Sequence, residues 1–131
     1  MESMSSSVRE VVVGMLSQID AAINEIQVWN KDVRNVDDYL SSLDGSRNLA
    51  ATSMMLESIG EAVKKIDKLT NGELFLLKPE IPWKQIKGMR DHIAHGYFDI
   101  DVEMIWQVVN EELLPLQAAI KELITCLNQC E

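Results

Sequence analysis

Apolar residues recur every three or four positions over most of this sequence, and that spacing limits the possible folds more than any other feature. The first such stretch carries Val8, Val12, Met15, Ile19, Ile23 and Ile26. This spacing puts apolar side chains on one face of an α-helix, whereas a half-buried strand needs apolar and polar residues in strict alternation. No stretch sustains that alternation, so the sequence predicts an all-α protein.

Capping residues and helix breakers predict the ends of the first three helices. The serines at positions 5–7 offer an N-cap for the first helix. A second, short helix is expected over residues 37–43, where Asp44-Gly45 would break it. A third is expected over residues 46–69, closed by Asn71-Gly72 as its C-cap.

Two further helices follow, and together the five predict a bundle. Pro82 suits the first turn of a fourth helix over residues 83–95. A fifth begins at Asp99 or Asp101, and Pro115 is expected to kink or split it. Because the apolar faces are wide enough to bury against one another, we expect an antiparallel four- to five-helix bundle. A chain of this length fits a single domain, residues 1–131.

Composition predicts a protein of the cytoplasm without a membrane partner. No apolar run approaches the roughly 18 residues that a membrane helix needs. Residues 1–7 lack the basic start and apolar core of a signal peptide. Cys126 and Cys130 have no further metal ligands near them, so we interpret both as ordinary thiols. The sequence indicates neither a metal nor a cofactor.

The net charge of −9 argues against a general nucleic-acid coat protein, because non-specific binding depends on neutralising phosphates. The charge is unevenly distributed, however. Residues 61–90 hold seven basic and four acidic residues, whereas residues 99–131 hold seven acids and one lysine. The local positive field can guide an anionic ligand toward residues 90–97, although the same lysines can equally be plain solvated side chains.

Residues 90–97 contain the chain's two histidines, and both lie within five positions of Arg90. Asp91 and His95 are four apart, so on a continuous helix they share a face, where the carboxylate would favour the charged imidazole. Arg90 and His95 are five apart, about 140° around a regular helix. On that geometry they converge on one ligand only if the last turn distorts or a second copy of the chain contributes.

An arginine with a histidine suits phosphodiester chemistry. The guanidinium fork binds phosphate oxygens, and a histidine can remove or deliver a proton near neutral pH. Such a pair could cleave RNA without a metal, with the ribose 2′-hydroxyl attacking the neighbouring phosphorus. The alternative is a helix end that carries a satisfied histidine and a surface ion pair.

The local sequence resembles a known ribonuclease family. The pattern Arg90-x4-His95-x-Tyr97 resembles the signature of HEPN-domain ribonucleases, in the branch of HepT-like toxins with a tyrosine two positions after the histidine. Residues 57–62 resemble the "IGEA" element of that family's preceding helix, and residues 79–83 its "PEIPW" entry to the motif helix. The similarity extends over about residues 49–116.

This resemblance implies a function and partners. HEPN domains are helical bundles that usually form homodimers with their motif helices at the interface. By family analogy, Arg90 and His95 are catalytic in RNA cleavage and Asp91 is the polar support beside the arginine. Toxins of this branch pair with a small nucleotidyltransferase antitoxin, which transfers AMP to the motif tyrosine, here Tyr97, and silences the toxin. Added bulk and negative charge there would oppose an RNA phosphate.

Three further interpretations concern neighbouring residues and rival functions. Lys84 and Lys87 are the best candidates for guiding RNA, and His92 is interpreted as an incidental surface or interface residue. A non-catalytic binding module or scaffold partner of a nucleotidyltransferase is the alternative function, which the negative net charge favours and the intact Arg90, His95 and Tyr97 disfavour. A plain helical structural protein would leave the ordered flanks of the motif unexplained.

Overall fold

The structure is a computed structural model that describes residues 4–94, 96 and 98–129. His95, Tyr97 and Cys130, each singled out above, lie outside the described residues. The described helices are α1 (Ser6–Trp29), α2 (Asp37–Leu40), α3 (Leu43–Leu69), a 3-10 turn (Leu74–Leu77), α4 (Trp83–Lys87), α5 (Met89–Ile93), α6 (Val102–Gln107), a π-helical segment (Val108–Glu112) and α7 (Leu113–Gln129). The prediction of an all-α helical bundle is confirmed.

The long helices form the body of the bundle. α1 packs against both α3 and α7, and α3 also contacts α2, α4 and α5. Their apolar faces meet in one core, in which Leu16, Ile23 and Leu56 are completely buried. Among the described helices, none is both long and apolar enough to span a membrane.

A buried polar network fixes α2 against α1 and α3. The Tyr39 hydroxyl donates to Asn30 Oδ1 at 2.6 Å, and Asn30 Nδ2 donates to Thr52 Oγ1 at 3.1 Å. Burial raises the pKa of Tyr39 to about 12. In the described part of the chain every buried side-chain nitrogen and oxygen has a hydrogen-bond partner, so this network is satisfied.

The predicted break at Asp44-Gly45 is wrong. α2 ends at Leu40, and α3 begins at Leu43 with Ser42 as N-cap, whose hydroxyl accepts from the Gly45 N–H at 2.9 Å. Gly45 lies inside the helix because α2 passes very close: a Cβ there would lie 2.0 Å from the Asp38 carbonyl oxygen. The glycine therefore serves a close approach between helices and not a turn. The predicted end at Leu69 is confirmed, and Asn71 and Gly72 follow it at positive φ.

The predicted fourth helix over residues 83–95 is also wrong in its continuity and its end. Gly88 separates α4 from α5, and α5 ends at Ile93. Ala94 is extended and forms a single antiparallel bridge with Ile100, while the Asp101 N–H donates to the Ile93 carbonyl at 2.7 Å. These contacts to the returning chain end the helix before His95, so helical spacing cannot relate Asp91 or Arg90 to that histidine.

The last helical stretch begins as predicted, with the Asp101 carboxylate accepting from the Met104 N–H at 3.1 Å. Its irregularity lies one turn before the expected position, at Val108–Glu112, where the helix widens to π geometry. Pro115 has no N–H, and its ring crowds the carbonyl four residues earlier. The wider turn accommodates the proline, so α7 continues through it without a break.

Candidate active site

The short helix α5 is held on α3 by an unusually close contact. A Cβ at Gly60 of α3 would lie 2.5 Å from the Ile86 carbonyl oxygen and 3.4 Å from Met89 Cβ. Only a glycine leaves room for α4 and the start of α5 at this distance. Met89 and Ile93 are buried in the core, which fixes the side of α5 that faces outward.

Arg90 and Asp91 project from that outward side, and both are exposed. Within the described residues neither side chain has a hydrogen bond or an ion pair, including one to the other. The support for Arg90 that was expected from Asp91 is therefore not a direct contact. Because no described residue occupies the donors of the Arg90 guanidinium, its planar fork is available to phosphate oxygens on the described surface.

Arg90 opens onto a groove of about 740 Å³ between α3 and α4–α5, the basic groove. Its cations are Lys64, Lys84, Lys87 and Arg90, against the carboxylates of Glu61 and Asp91. The structure thus brings together Arg90, Asp91 and both lysines that the sequence proposed for RNA guidance.

The lysines of the basic groove differ in how firmly they are held. Lys87 Nζ lies 2.8 Å from Asp67 Oδ2, and Lys64 Nζ lies 3.7 Å from Glu61 Oε1 on the same helix. Lys84 is exposed and has no ion-pair partner in the described part of the chain. Lys84 and Arg90 are therefore the cations most available to an anionic ligand.

Arg90 also borders a second groove, of about 610 Å³, between α1, α3 and the chain near Ile100. This apolar groove is lined by Met15, Ala50, Met54 and Ile100, among others. Met54 is 68% exposed and adds apolar area to the part of this groove that faces solvent. Arg90 therefore stands on the ridge between a basic and an apolar surface.

His92 lies on another side of α5. It lines a third cavity, with Met104 and Gln107, and its imidazole lies over Gly88. The described lining residues of that cavity do not include Arg90. No group of three or more metal-ligating side chains occurs in the described part of the chain, so His92 has no metal-binding companions there.

Sequence reasoning missed two parts of this surface. Lys64 lies in the same basic stretch as Lys84, but only the packing of α3 beside α4 shows that they share a groove. Met54 is apolar and lies within a long amphipathic helix, so the sequence alone does not show that it is exposed. One sequence signal could nevertheless have indicated that Met54 is exposed. The polar residues that follow it on α3 line the same groove, and they are Glu57, Ser58 and Glu61.

The fold and site thus define a helical bundle that carries, beside a lysine-lined groove, an arginine with no partner among the described residues, an arrangement whose chemistry suits phosphate oxygens. The family model described as "Ribonuclease HepT-like" matches residues 19–123. The chain belongs to the HepT-like ribonuclease family, which confirms the resemblance drawn from the motif.

Individual relatives agree with the family match. The chain is 32% identical over 108 residues to a Thermococcus cleftensis protein named "Probable ribonuclease HepT", covering 82% of this chain and 91% of that one. It is 30% identical over 122 residues to a Methanocaldococcus jannaschii protein named as a candidate RNase, covering 93% and 95%. No solved structure was found to match.

Proposed function

We propose that this protein is the ribonuclease toxin of a toxin–antitoxin pair, which cleaves RNA without a metal at a site formed by Arg90 and His95. The observation that carries the proposal is the Arg90 guanidinium, which has no partner in the described chain and stands at the edge of the basic groove. Membership of a ribonuclease family supplies the chemistry that such an arginine would serve.

The reaction needs one base, one acid and charge stabilisation. One imidazole takes the proton from the ribose 2′-hydroxyl as that oxygen attacks phosphorus. The bond from phosphorus to the 5′-oxygen breaks, and that oxygen receives a proton from a second, protonated imidazole. The products are a 2′,3′-cyclic phosphate and a 5′-hydroxyl. Arg90 would stabilise the extra negative charge on the phosphorus oxygens in the transition state.

A homodimer supplies the second imidazole, since the chain contains one histidine in the catalytic position of the motif. The apolar groove beside Arg90 supports this part of the proposal, because exposed Met54 and the neighbouring Ile100 offer apolar area for a second copy. A two-fold contact there would bring the residue 90–97 segments of both copies together.

Silencing by a nucleotidyltransferase antitoxin completes the proposal. The Tyr97 hydroxyl oxygen would bond to the α-phosphorus of ATP as the bond to the β-phosphate breaks and pyrophosphate leaves. The AMP joined to Tyr97 would add a phosphate seven positions after Arg90 in the sequence. That phosphate would compete with RNA for the guanidinium and repel the RNA backbone. Incubation with the antitoxin and ATP should add one AMP to the wild type by mass spectrometry, and none to Tyr97→Phe. Mass gain on another residue would contradict this part.

RNA cleavage in the presence of EDTA tests the central claim. His95→Ala and Arg90→Ala should lose cleavage while keeping the wild-type circular dichroism spectrum. Arg34→Ala is the matched control, since this exposed arginine at the α1–α2 connection lines none of the described grooves and should leave cleavage intact. If EDTA stops the wild type, the reaction depends on a metal. If the wild type binds RNA and never cleaves it, the protein is the non-catalytic binding module.

A further inference from the structure

The cavity that His92 lines is a third groove, on the side of α4 and α5 that faces away from Arg90. It has a volume of about 410 Å³ and runs between α4–α5 on one side and α6, the π-helical segment and α7 on the other. Its floor is apolar and includes Ile86, Met89 and Val108. Among the described residues it shares no lining side chain with the basic groove or the apolar groove. We call it the acid-rimmed groove.

The rim of this groove carries three carboxylates, Glu80, Glu111 and Glu112, and no described lysine or arginine lines it. Within the described residues none of the three has an ion pair or a hydrogen bond. Some acids elsewhere on the described surface are paired, as Glu122 is with Lys78 and Asp67 with Lys87. The carboxylates of the acid-rimmed groove are therefore left facing solvent around an apolar floor.

The π-helical segment sets the polarity of one wall. Val108–Glu112 brings Glu111 and Glu112 to the groove, and Pro115, which also lines it, supplies no N–H to the carbonyl one turn earlier. Gln85 and Gln107 add amide groups that can accept as well as donate. This wall therefore offers mainly hydrogen-bond acceptors to a ligand. Single π-helical turns inside α-helices are also frequent at functional sites.

We infer that the acid-rimmed groove docks a basic amphipathic segment of a partner protein, with an apolar side chain on the floor and lysines or arginines at the rim. Apolar walls that contain methionine adapt to the anchor of an amphipathic helix. The volume lies within the range of about 300–1,000 Å³ typical of ligand pockets. The chemistry of the rim selects a positively charged occupant.

Two other occupants fit less well. A second copy of this chain, docked by a two-fold contact at this groove, would place the acid-rimmed groove of each protomer in one shared interface and so concentrate carboxylates of both copies there. Metal ions need several ligands at one point, and no group of three or more acids, histidines or cysteines in the described chain is close enough. A basic amphipathic helix meets both constraints, because its positive charges are distributed along its length and can reach separate carboxylates.

Fluorescence anisotropy with a defined probe tests the inference. The probe is a labelled peptide of about 16 residues with leucines on one helical face and lysines on the other. It should bind the full-length protein, more weakly as salt rises. The double variant Glu111→Lys, Glu112→Lys should weaken binding about tenfold or more. The control Glu10→Lys, Glu25→Lys makes the same charge change on exposed positions of α1 and should retain affinity.

Backbone amide NMR locates the probe. Shifts should appear at Gln107 and Glu111 and not at Lys64 or Lys84 of the basic groove, because the two grooves share no described side chain. Absence of binding, equal loss in both double variants, or shifts centred on Met54 would each overturn the inference. So would displacement of the peptide by spermine alone, or a change in sedimentation of the free protein caused by the groove variant. None of these readouts depends on RNA cleavage.

Discussion

Replacing Gly60 with alanine inserts a methyl group into the contact that holds the motif helix on α3. The new Cβ would lie 2.5 Å from the Ile86 carbonyl oxygen, whereas ordinary contacts begin near 3.4 Å. The two helices must therefore separate locally by about 0.9 Å, the difference of these distances. The obstructing atom belongs to the backbone, so no side-chain rotation can relieve the overlap.

Two opposing terms set the size of the effect. Alanine is intrinsically better than glycine inside a helix by about 0.5–1 kcal/mol. Overpacking of a tight core contact costs about 1–3 kcal/mol. We expect the free energy of unfolding to fall by about 1–2 kcal/mol in Gly60→Ala, since the second term exceeds the first. RNA cleavage should fall by about 100-fold, because α5 carries Arg90 and a displacement near 1 Å suffices for that loss.

Urea denaturation and RNA cleavage under folding conditions measure the two effects separately. Gly14→Ala is the matched control: Gly14 lies inside α1, and a Cβ there meets nothing within 4 Å. This control should gain about 0.5–1 kcal/mol and cleave RNA normally. A Gly60→Ala protein as stable as Gly14→Ala would refute the packing argument. A destabilised Gly60→Ala protein with undiminished cleavage would refute the positioning of Arg90 through this contact.

Further predictions concern RNA guidance, dimerisation and pH. Lys84→Ala should reduce the slope of log affinity against log salt by about 0.7, with the cleavage rate at saturating RNA unchanged. Lys87→Ala should reduce the slope by less, because its ammonium is already paired with Asp67. Met54→Glu should convert the proposed dimer to a monomer in sedimentation and abolish cleavage, whereas Leu76→Glu, at another exposed apolar residue, should do neither. Folding raises the pKa of Tyr39 from 10.0 to about 12, so the native state holds that proton more tightly. The free energy of unfolding measured in urea should therefore fall between about pH 10 and 12, and less in Tyr39→Phe.

The long helices were predictable because their information is local. α1 and α3 carry an apolar face over many turns, and the Ser5 cap and the Asn71-Gly72 ending act within a few residues of the helices they bound. The prediction at Gly45 was wrong because a glycine is needed there for a tertiary contact. The Asp38 carbonyl of a neighbouring helix lies too close for a side chain at position 45, and helix propensity does not report such a contact. Local signals therefore predict most helix positions, and close inter-helix contacts decide the exceptions.

The candidate site was also predictable only in part: its residues could be proposed from the sequence, but the groove that they line could not. Lys84 and Lys87 were proposed from the sequence as the candidates for guiding RNA, and both line the groove that Arg90 borders. The groove itself could not be predicted, because it exists only where α3 lies beside α4 at the distance that Gly60 permits. Lys64 belongs to it for that reason alone.

The end of α5 at Ile93 changes the argument for a shared site. On a continuous helix the separation of Arg90 and His95 by about 140° was the reason to invoke a second chain. Because Ala94 is extended and bridges to Ile100, the helix has already ended and that angle does not apply to these two residues. What supports a two-chain site is the surface: an arginine without a described partner beside an apolar groove that carries exposed Met54. Because the bridge sets where the chain leaves α5, Ile100 helps to direct the segment that follows Arg90, although it lies beyond the motif in sequence.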